Sequence, residues 1–238
     1  MAQPYAAIFF DLDGTLFDLI ACERETVRRL LAQTYPTLDP AQSEDFLAAY
    51  AGISPGHWAK GLAAAATREE IVDGIFLAAC AQTGVDASAL SRPATLYWRL
   101  FADVAVLEKG AGATLDALFV RYRLGLISNG YRDTQRPRLH AAGLTHYFQT
   151  IVVSDEVGWA KPDPRIFAYA LAEMGIAPSA ALYVGDSVSH DLAGALGAGL
   201  DFCLYRPAGG VGLTLPPGVR LVTALSQLAG LLARCYDE

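Results

Sequence analysis

The amino-acid sequence predicts an α/β protein: a doubly wound parallel sheet, interrupted just after its first strand by a smaller all-helical insert. Three observations carry that expectation. An apolar run, Tyr5 to Phe10, ends in an acidic turn, Asp11-Leu12-Asp13-Gly14-Thr15. The stretch from about Leu19 to Val106 is rich in alanine and leucine and shows no convincing strand. From about Leu107 onward, helical patterns alternate with short apolar runs, as in a parallel sheet covered on both faces.

Taken in order, Ile8-Phe9-Phe10 reads as the first, buried strand. The insert is punctuated at Tyr35-Pro36, Ser54-Pro55-Gly56, Gly84 and Arg92-Pro93, each expected to end or begin a helix. Glu108-Lys109-Gly110-Ala111-Gly112 is the expected return hinge. Further strands are expected at Leu124 to Ile127, Thr150 to Val153, Ala181 to Val184 and Phe202 to Tyr205. Asp163-Pro164 is a good helix start, an N-cap followed by proline at the first helical position. The Gly- and Pro-rich segment Pro207 to Gly218 reads as a surface connection. These boundaries assign residues 1–18 and 107–238 to the α/β core and 19–106 to a helical cap.

Composition narrows the function. The 238 residues are 53% hydrophobic and 18% charged, which excludes extensive disorder. Mean hydropathy is +0.28. The apolar residues are nonetheless dispersed, far short of the ~20-residue run a membrane span needs. No basic-then-apolar leader opens the chain, so a cytoplasmic protein without membrane attachment is expected. Net charge is −7, from 18 Lys+Arg against 25 Asp+Glu. An acidic chain without a basic run is a poor partner for a nucleic acid polymer. The cysteines, Cys22, Cys80, Cys203 and Cys235, lack metal-binding spacing and are expected to be buried free thiols.

In an open parallel sheet, ligands bind beyond the carboxyl ends of the strands. The first strand delivers Asp11, Asp13 and Thr15 there, and the second delivers Ser128-Asn129-Gly130. Lys161-Pro162 follows the third, and Gly185-Asp186-Ser187 the fourth, with Asp191 opening the next helix. Carboxylates this crowded repel: at ~4 Å the energy is about 4 kcal/mol at a typical effective dielectric. One lysine cannot offset several. A hard divalent cation with oxygen ligands, most simply Mg²⁺, would resolve the conflict, and neither His nor Cys is present to suggest zinc. Cation, lysine and hydroxyls together also suit a phosphoryl group. Asp11 and Asp13, two residues apart, can face one reacting centre, one attacking phosphorus while the other handles protons.

Asp11-Leu12-Asp13-Gly14-Thr15-Leu16, Ser128-Asn129-Gly130, Lys161-Pro162 and Gly185-Asp186-Ser187 with Asp191 closely resemble, in order, the four motifs of the haloacid dehalogenase (HAD) superfamily. The resemblance spans Phe9 to about Tyr205. It implies that Asp11 is the nucleophile forming an aspartyl-phosphate and that Asp13 is the general acid/base. Mg²⁺ would be held by Asp11, Asp186 and the backbone carbonyl of Asp13, with Asp191 behind them. Thr15 and Ser128 would bind phosphoryl oxygens with Asn129 beside them, and Lys161 would steady the nucleophile. The helical insert is similar to the C1 cap of subfamily I. Ser128-Asn129-Gly130-Tyr131 with Gln135, Arg138-Leu139, Glu156-Val157-Gly158 and Ile166-Phe167 looks like the branch of pyrimidine nucleotidases and N-acylneuraminate-9-phosphatases. These segments are expected to pack the core and need not touch substrate.

The implied activity is Mg²⁺-dependent hydrolysis of a small soluble phosphate ester, of nucleoside monophosphate or sugar phosphate type, by a monomer or homodimer. A cap would exclude water during attack and disfavour polymeric substrates. A 2-haloacid dehalogenase is one rival, disfavoured by Asp13, because displacing halide needs no protonated leaving group and those relatives lack that carboxylate. A non-enzymatic receiver-like phospho-switch is the other, disfavoured by the chain's length and cap. Asp18 is expected to be a structural hydrogen-bonding residue, and His190 to be solvated or to make a local contact. His57, Trp58, Lys60, Tyr97, Trp98, Arg99 and Tyr131 are secondary candidates for substrate contact.

Overall fold

The computed structural model describes residues 5–234 and divides into two compact units. One comprises the chain up to Leu19 and from Ala105 onward; the other is Ile20–Val104.

The first unit is built on a six-stranded, all-parallel sheet of order β3-β2-β1-β4-β5-β6. Its strands are β1 (Ala7–Phe10), β2 (Arg123–Ser128), β3 (Phe148–Val153), β4 (Ala181–Gly185), β5 (Asp201–Tyr205) and β6 (Arg220–Val222). Every residue of β1 and β4 is buried, the signature of strands covered on both faces. On one face Phe9, Ile127, Tyr183 and Phe202 pack with Ile166, Phe167 and Leu171. Each such large apolar side chain contributes about 1.5–3 kcal/mol on burial. From β1 the chain builds outward through β2 and β3, then returns to the other side of β1 with β4. The switch point therefore lies between β1 and β4, where such sheets bind ligands. Strand β6 was not foreseen; three residues are too few to show a period. Among the described residues, Cys22, Cys80 and Cys203 are buried free thiols, while Cys235 lies outside them.

Beyond β1 the backbone coils tightly. Leu16 and Phe17 donate their N–H groups to Leu12 O at 2.8 and 2.9 Å, and Gly14 N–H donates to Phe17 O at 2.8 Å. The chain's departure and return are then tied together. Phe17 bridges Leu107 in antiparallel fashion, Asp18 N–H donates to Val106 O, and Glu108 N–H donates to Leu16 O.

The second unit is helical: α1 (Leu19–Thr34, its first residue in the other unit), α2 (Pro40–Ala63), α3 (Arg68–Thr83) and α4 (Pro93–Phe101). Asp39 caps α2, with proline at its start. A capping box of Thr67 and Glu70 starts α3, and Gly84 in the left-handed region ends it. One expectation fails here. Ser54-Pro55-Gly56 does not break the chain but lies within α2. Pro55 removes one hydrogen bond to the carbonyl of Ala51, which is exposed and can be satisfied by water. The first unit completes its layers with α5 (Ala111–Phe119), α6 (Arg132–Ala141), α7 (Ser154–Val157), α8 (Pro164–Met174), α9 (Ala193–Gly197) and α10 (Gln227–Arg234). No helix among the described residues is long and apolar enough to cross a membrane.

Candidate active site

The site forms at the switch point because each strand ends there in a short polar loop. Asp11 follows β1 directly, its N–H still donating to Val184 O at 2.9 Å as if the sheet continued. Gly14 adopts φ +85°, and a Cβ there would meet Asp186 Oδ2 at 2.6 Å, so only glycine lets the β1 and β4 loops close together. Lys161, on the loop before α8, reaches across from the β3 side. Its Nζ donates to Asp11 Oδ1 at 2.5 Å, Asp191 Oδ1 at 2.7 Å and the Tyr183 hydroxyl at 3.0 Å. Tyr183 in turn donates to Ile127 O at 2.9 Å.

The electrostatics follow from burial. Asp11, Lys161 and Asp191 are 5%, 4% and 1% exposed. Burial pushes the Asp11 carboxyl well above its ordinary range; Lys161 opposes this, and Asp191 and Asp186 reinforce it. Burial alone would pull the Lys161 ammonium down, but the charges of Asp11 and Asp191 raise it above its usual value. Asp186 opens to solvent on one side, yet partial burial and then the charge of Asp191 push its carboxyl up to about 6. Carboxylate oxygens of Asp11, Asp186 and Asp191 all lie within 4.8 Å of one another. An all-oxygen, acidic donor set of this kind fits a hard divalent cation such as Mg²⁺. The side chain of Asp13 is not in this trio.

The remaining residues divide by what they touch. Thr15, fully buried, donates its hydroxyl to Asp11 Oδ2 at 3.3 Å. Asn129 holds the Lys161 backbone from both directions: its Nδ2 donates to Lys161 O at 2.9 Å, and Lys161 N–H donates to its Oδ1 at 2.7 Å. Asp191 also accepts the Ser187 N–H at 3.0 Å. His190 contacts Ser187 Oγ through Nδ1 at 3.0 Å.

Asp13 faces away from the lysine. Its Oδ2 accepts from Gln135 Nε2 at 2.7 Å, and its Oδ1 lies 2.8 Å from Arg138 Nη2. The same Gln135 nitrogen donates to Ser128 Oγ at 2.8 Å. The Gln135 and Arg138 segment is buried in the core as expected, and both side chains also reach the second carboxylate, a contact not foreseen from the sequence. Tyr183 was missed altogether. Its signal was faint, a hydroxyl two residues before Gly185 in an otherwise apolar strand.

Comparison with known proteins identifies the family. The family model described as haloacid dehalogenase-like hydrolase matches residues 5–199. The pyrimidine 5'-nucleotidase YjjG of Escherichia coli (strain K12) is 30% identical over 197 residues, 82% of this chain and 84% of that one. The N-acylneuraminate-9-phosphatase of Rattus norvegicus is 29% identical over 246 residues, 95% and 93% of the two chains. Among solved structures, the HAD-hydrolase YfnB from Bacillus subtilis bound to magnesium superposes with a TM-score of 0.81 at 28% identity, covering 97% of this chain and 99% of that one. A 2-haloacid dehalogenase from Pseudomonas syringae pv. Tomato DC3000 gives 0.62 at 26% identity, with the same coverage. Motif order, sheet topology and relatives along most of the chain converge: the protein is a hydrolase of the haloacid dehalogenase family.

Proposed function

We propose that the protein is a Mg²⁺-dependent phosphomonoesterase for a small soluble organic phosphate, of nucleoside monophosphate or sugar phosphate type. The observation that carries this reading is Asp13, a second carboxylate held beside Ser128 as well as the one paired with Lys161. Carbon–halogen cleavage has no use for it, whereas departure of an alkoxide needs a proton.

Asp11 attacks phosphorus through a carboxylate oxygen as the ester P–O bond breaks, and the departing oxygen takes a proton from Asp13. Water then attacks the aspartyl-phosphate phosphorus, giving its proton to Asp13. The Asp11–phosphorus bond breaks, releasing inorganic phosphate and restoring both carboxylates to their starting states. Thr15 and Ser128 donate to phosphoryl oxygens, and Lys161 holds Asp11 in line for attack. Asp11 and Asp186, with the Asp13 backbone carbonyl, would hold Mg²⁺, and Asp191, engaged by Lys161 and the Ser187 N–H, would stand behind them; the ion would supply charge neutralisation for the phosphoryl group.

A panel of nucleoside monophosphates, sugar phosphates, phosphoglycolate and 2-haloacids, assayed with Mg²⁺ and ranked by kcat/KM, tests the reading. Phosphate release from at least one ester class with no halide release is the expected result. Halide release without phosphatase activity would overturn it.

A further inference from the structure

We propose that Gln135 and Arg138 are positioning residues that hold the carboxylate of Asp13 for proton transfer and aim the hydroxyl of Ser128 at the phosphoryl group. The inference rests on the phosphatase reading above and deepens it.

Arg138 anchors the arrangement from within the core. Three residues beyond Gln135, it shares one face of α6 with it. Arg138 is fully buried, and its guanidinium carbon sits 4.8 Å from the centre of the Phe17 ring. One arm, Nη2, lies 2.8 Å from Asp13 Oδ1; the other, Nη1, donates to Gln135 Oε1 at 2.9 Å. A guanidinium can only donate, so the Gln135 carbonyl must face it. That removes the usual ambiguity in the direction of a glutamine amide. The amide nitrogen is thereby turned toward Asp13 Oδ2 at 2.7 Å and Ser128 Oγ at 2.8 Å.

Two consequences follow for the reaction. Ser128 accepts a hydrogen from Gln135, so its own hydrogen is left to point elsewhere; it donates to Asn129 O at 3.4 Å, a weak contact. A phosphoryl oxygen in front of Ser128 would receive it. Asp13 accepts one hydrogen bond, from Gln135 at Oδ2, and is ion-paired with Arg138 at Oδ1; a carboxylate offers about four acceptor sites, so it keeps room to carry a proton to the leaving group. Gly130 belongs to the same device. A Cβ there would stand 2.8 Å from Gln135 Nε2, so the glycine after Ser128-Asn129 makes room for the glutamine.

The test uses the full chain with Mg²⁺ in rapid-quench, single-turnover phosphorylation at saturating substrate. An alkyl phosphate is compared with p-nitrophenyl phosphate, whose leaving group departs without a proton. Gln135→Met should slow the alkyl ester about 10–100-fold, below the about 10²–10⁴-fold ceiling for losing the acid itself, and the aryl ester only about threefold or less. Its KM should rise for both esters, because Ser128 loses its aim. Arg138→Lys, which keeps the charge but not the fork, should fall between parent and Gln135→Met. In an Asp13→Ala background, Gln135→Met should add nothing to the alkyl-over-aryl gap. Equal losses for both esters, or a further gap in the double variant, would overturn the inference. Should Arg138→Lys fail to fold by thermal melting, Gln135→Met decides alone. If Asp13→Ala itself shows no alkyl bias, the general-acid assignment falls; a bias in Asp13→Ala that neither positioning variant shares defeats this inference only.

Discussion

Lys161 and Asp11, 150 residues apart in sequence, form an ion pair at 2.5 Å with both side chains nearly withdrawn from solvent. Removing one partner of a buried pair leaves an uncompensated charge, which costs about 3–5 kcal/mol. Lys161→Met should therefore destabilise the metal-free protein by about that amount in urea titrations. Asp11→Asn in the same background should recover part of the loss. A double variant less stable than Lys161→Met would contradict the pairing.

Asp186 makes the metal-free protein pH-sensitive in the direction opposite to a salt-bridged carboxylate. Its folded-state value of about 6 lies above the ordinary 3.8, so the folded chain binds this proton more tightly than the unfolded one. Stability then falls as pH rises through about 4 to 6, and the penalty is fully present above that window. In EDTA, Asp186→Asn should be more stable than the parent at pH 7.5, with the gap much narrower at pH 4.5 and closing below about pH 4. Added Mg²⁺ should stabilise the parent more than the variant. An unchanged gap at both pH values would rule out this origin.

Metal replacement gives a separate check on the carboxylate trio. Chelation should abolish phosphatase turnover and Mg²⁺ restore it, while Ca²⁺ should support little. Calcium accepts longer, more numerous and less directional oxygen contacts, which would misplace Asp11. Full turnover in excess chelator would contradict the assignment.

Much of this molecule was legible because the chemistry sits at strand ends. Asp11, Ser128 and Asp186 each terminate an apolar run, and an apolar run flanked by glycine and acidic residues is a strong local signal. What escaped was three-dimensional. Gln135 and Arg138 show no period that announces a buried polar network, since their partners Asp13 and Ser128 lie elsewhere in the chain. Tyr183 reads as one more apolar strand residue until Lys161 is placed above it. Pro55 reads as a helix breaker, and only tertiary context keeps α2 continuous.

Substrate choice should reside in the helical insert, because every residue proposed for the general chemistry lies in the first unit. Trp58 stands edge-on to Trp98 at 6.2 Å, and Arg99 is exposed on the same helix as Trp98. Trp58→Ala or Arg99→Ala should reorder a panel of phosphate esters more than it alters turnover of p-nitrophenyl phosphate. If neither change nor its neighbours reorders the panel, the core loop at Tyr131 does the reading instead.

The proposed reaction requires that Asp11 be phosphorylated and that water then attack phosphorus. A single turnover in ¹⁸O-labelled water, followed by mass analysis of the released phosphate and of the peptide bearing Asp11, tests it most directly. A transient phosphoryl mass on that peptide, one labelled oxygen in the inorganic phosphate and none retained in Asp11 are expected. A labelled Asp11 carboxylate would mean that water attacked carbon, as in the ester intermediate of a dehalogenase. Turnover without any covalent intermediate would remove Asp11 as nucleophile.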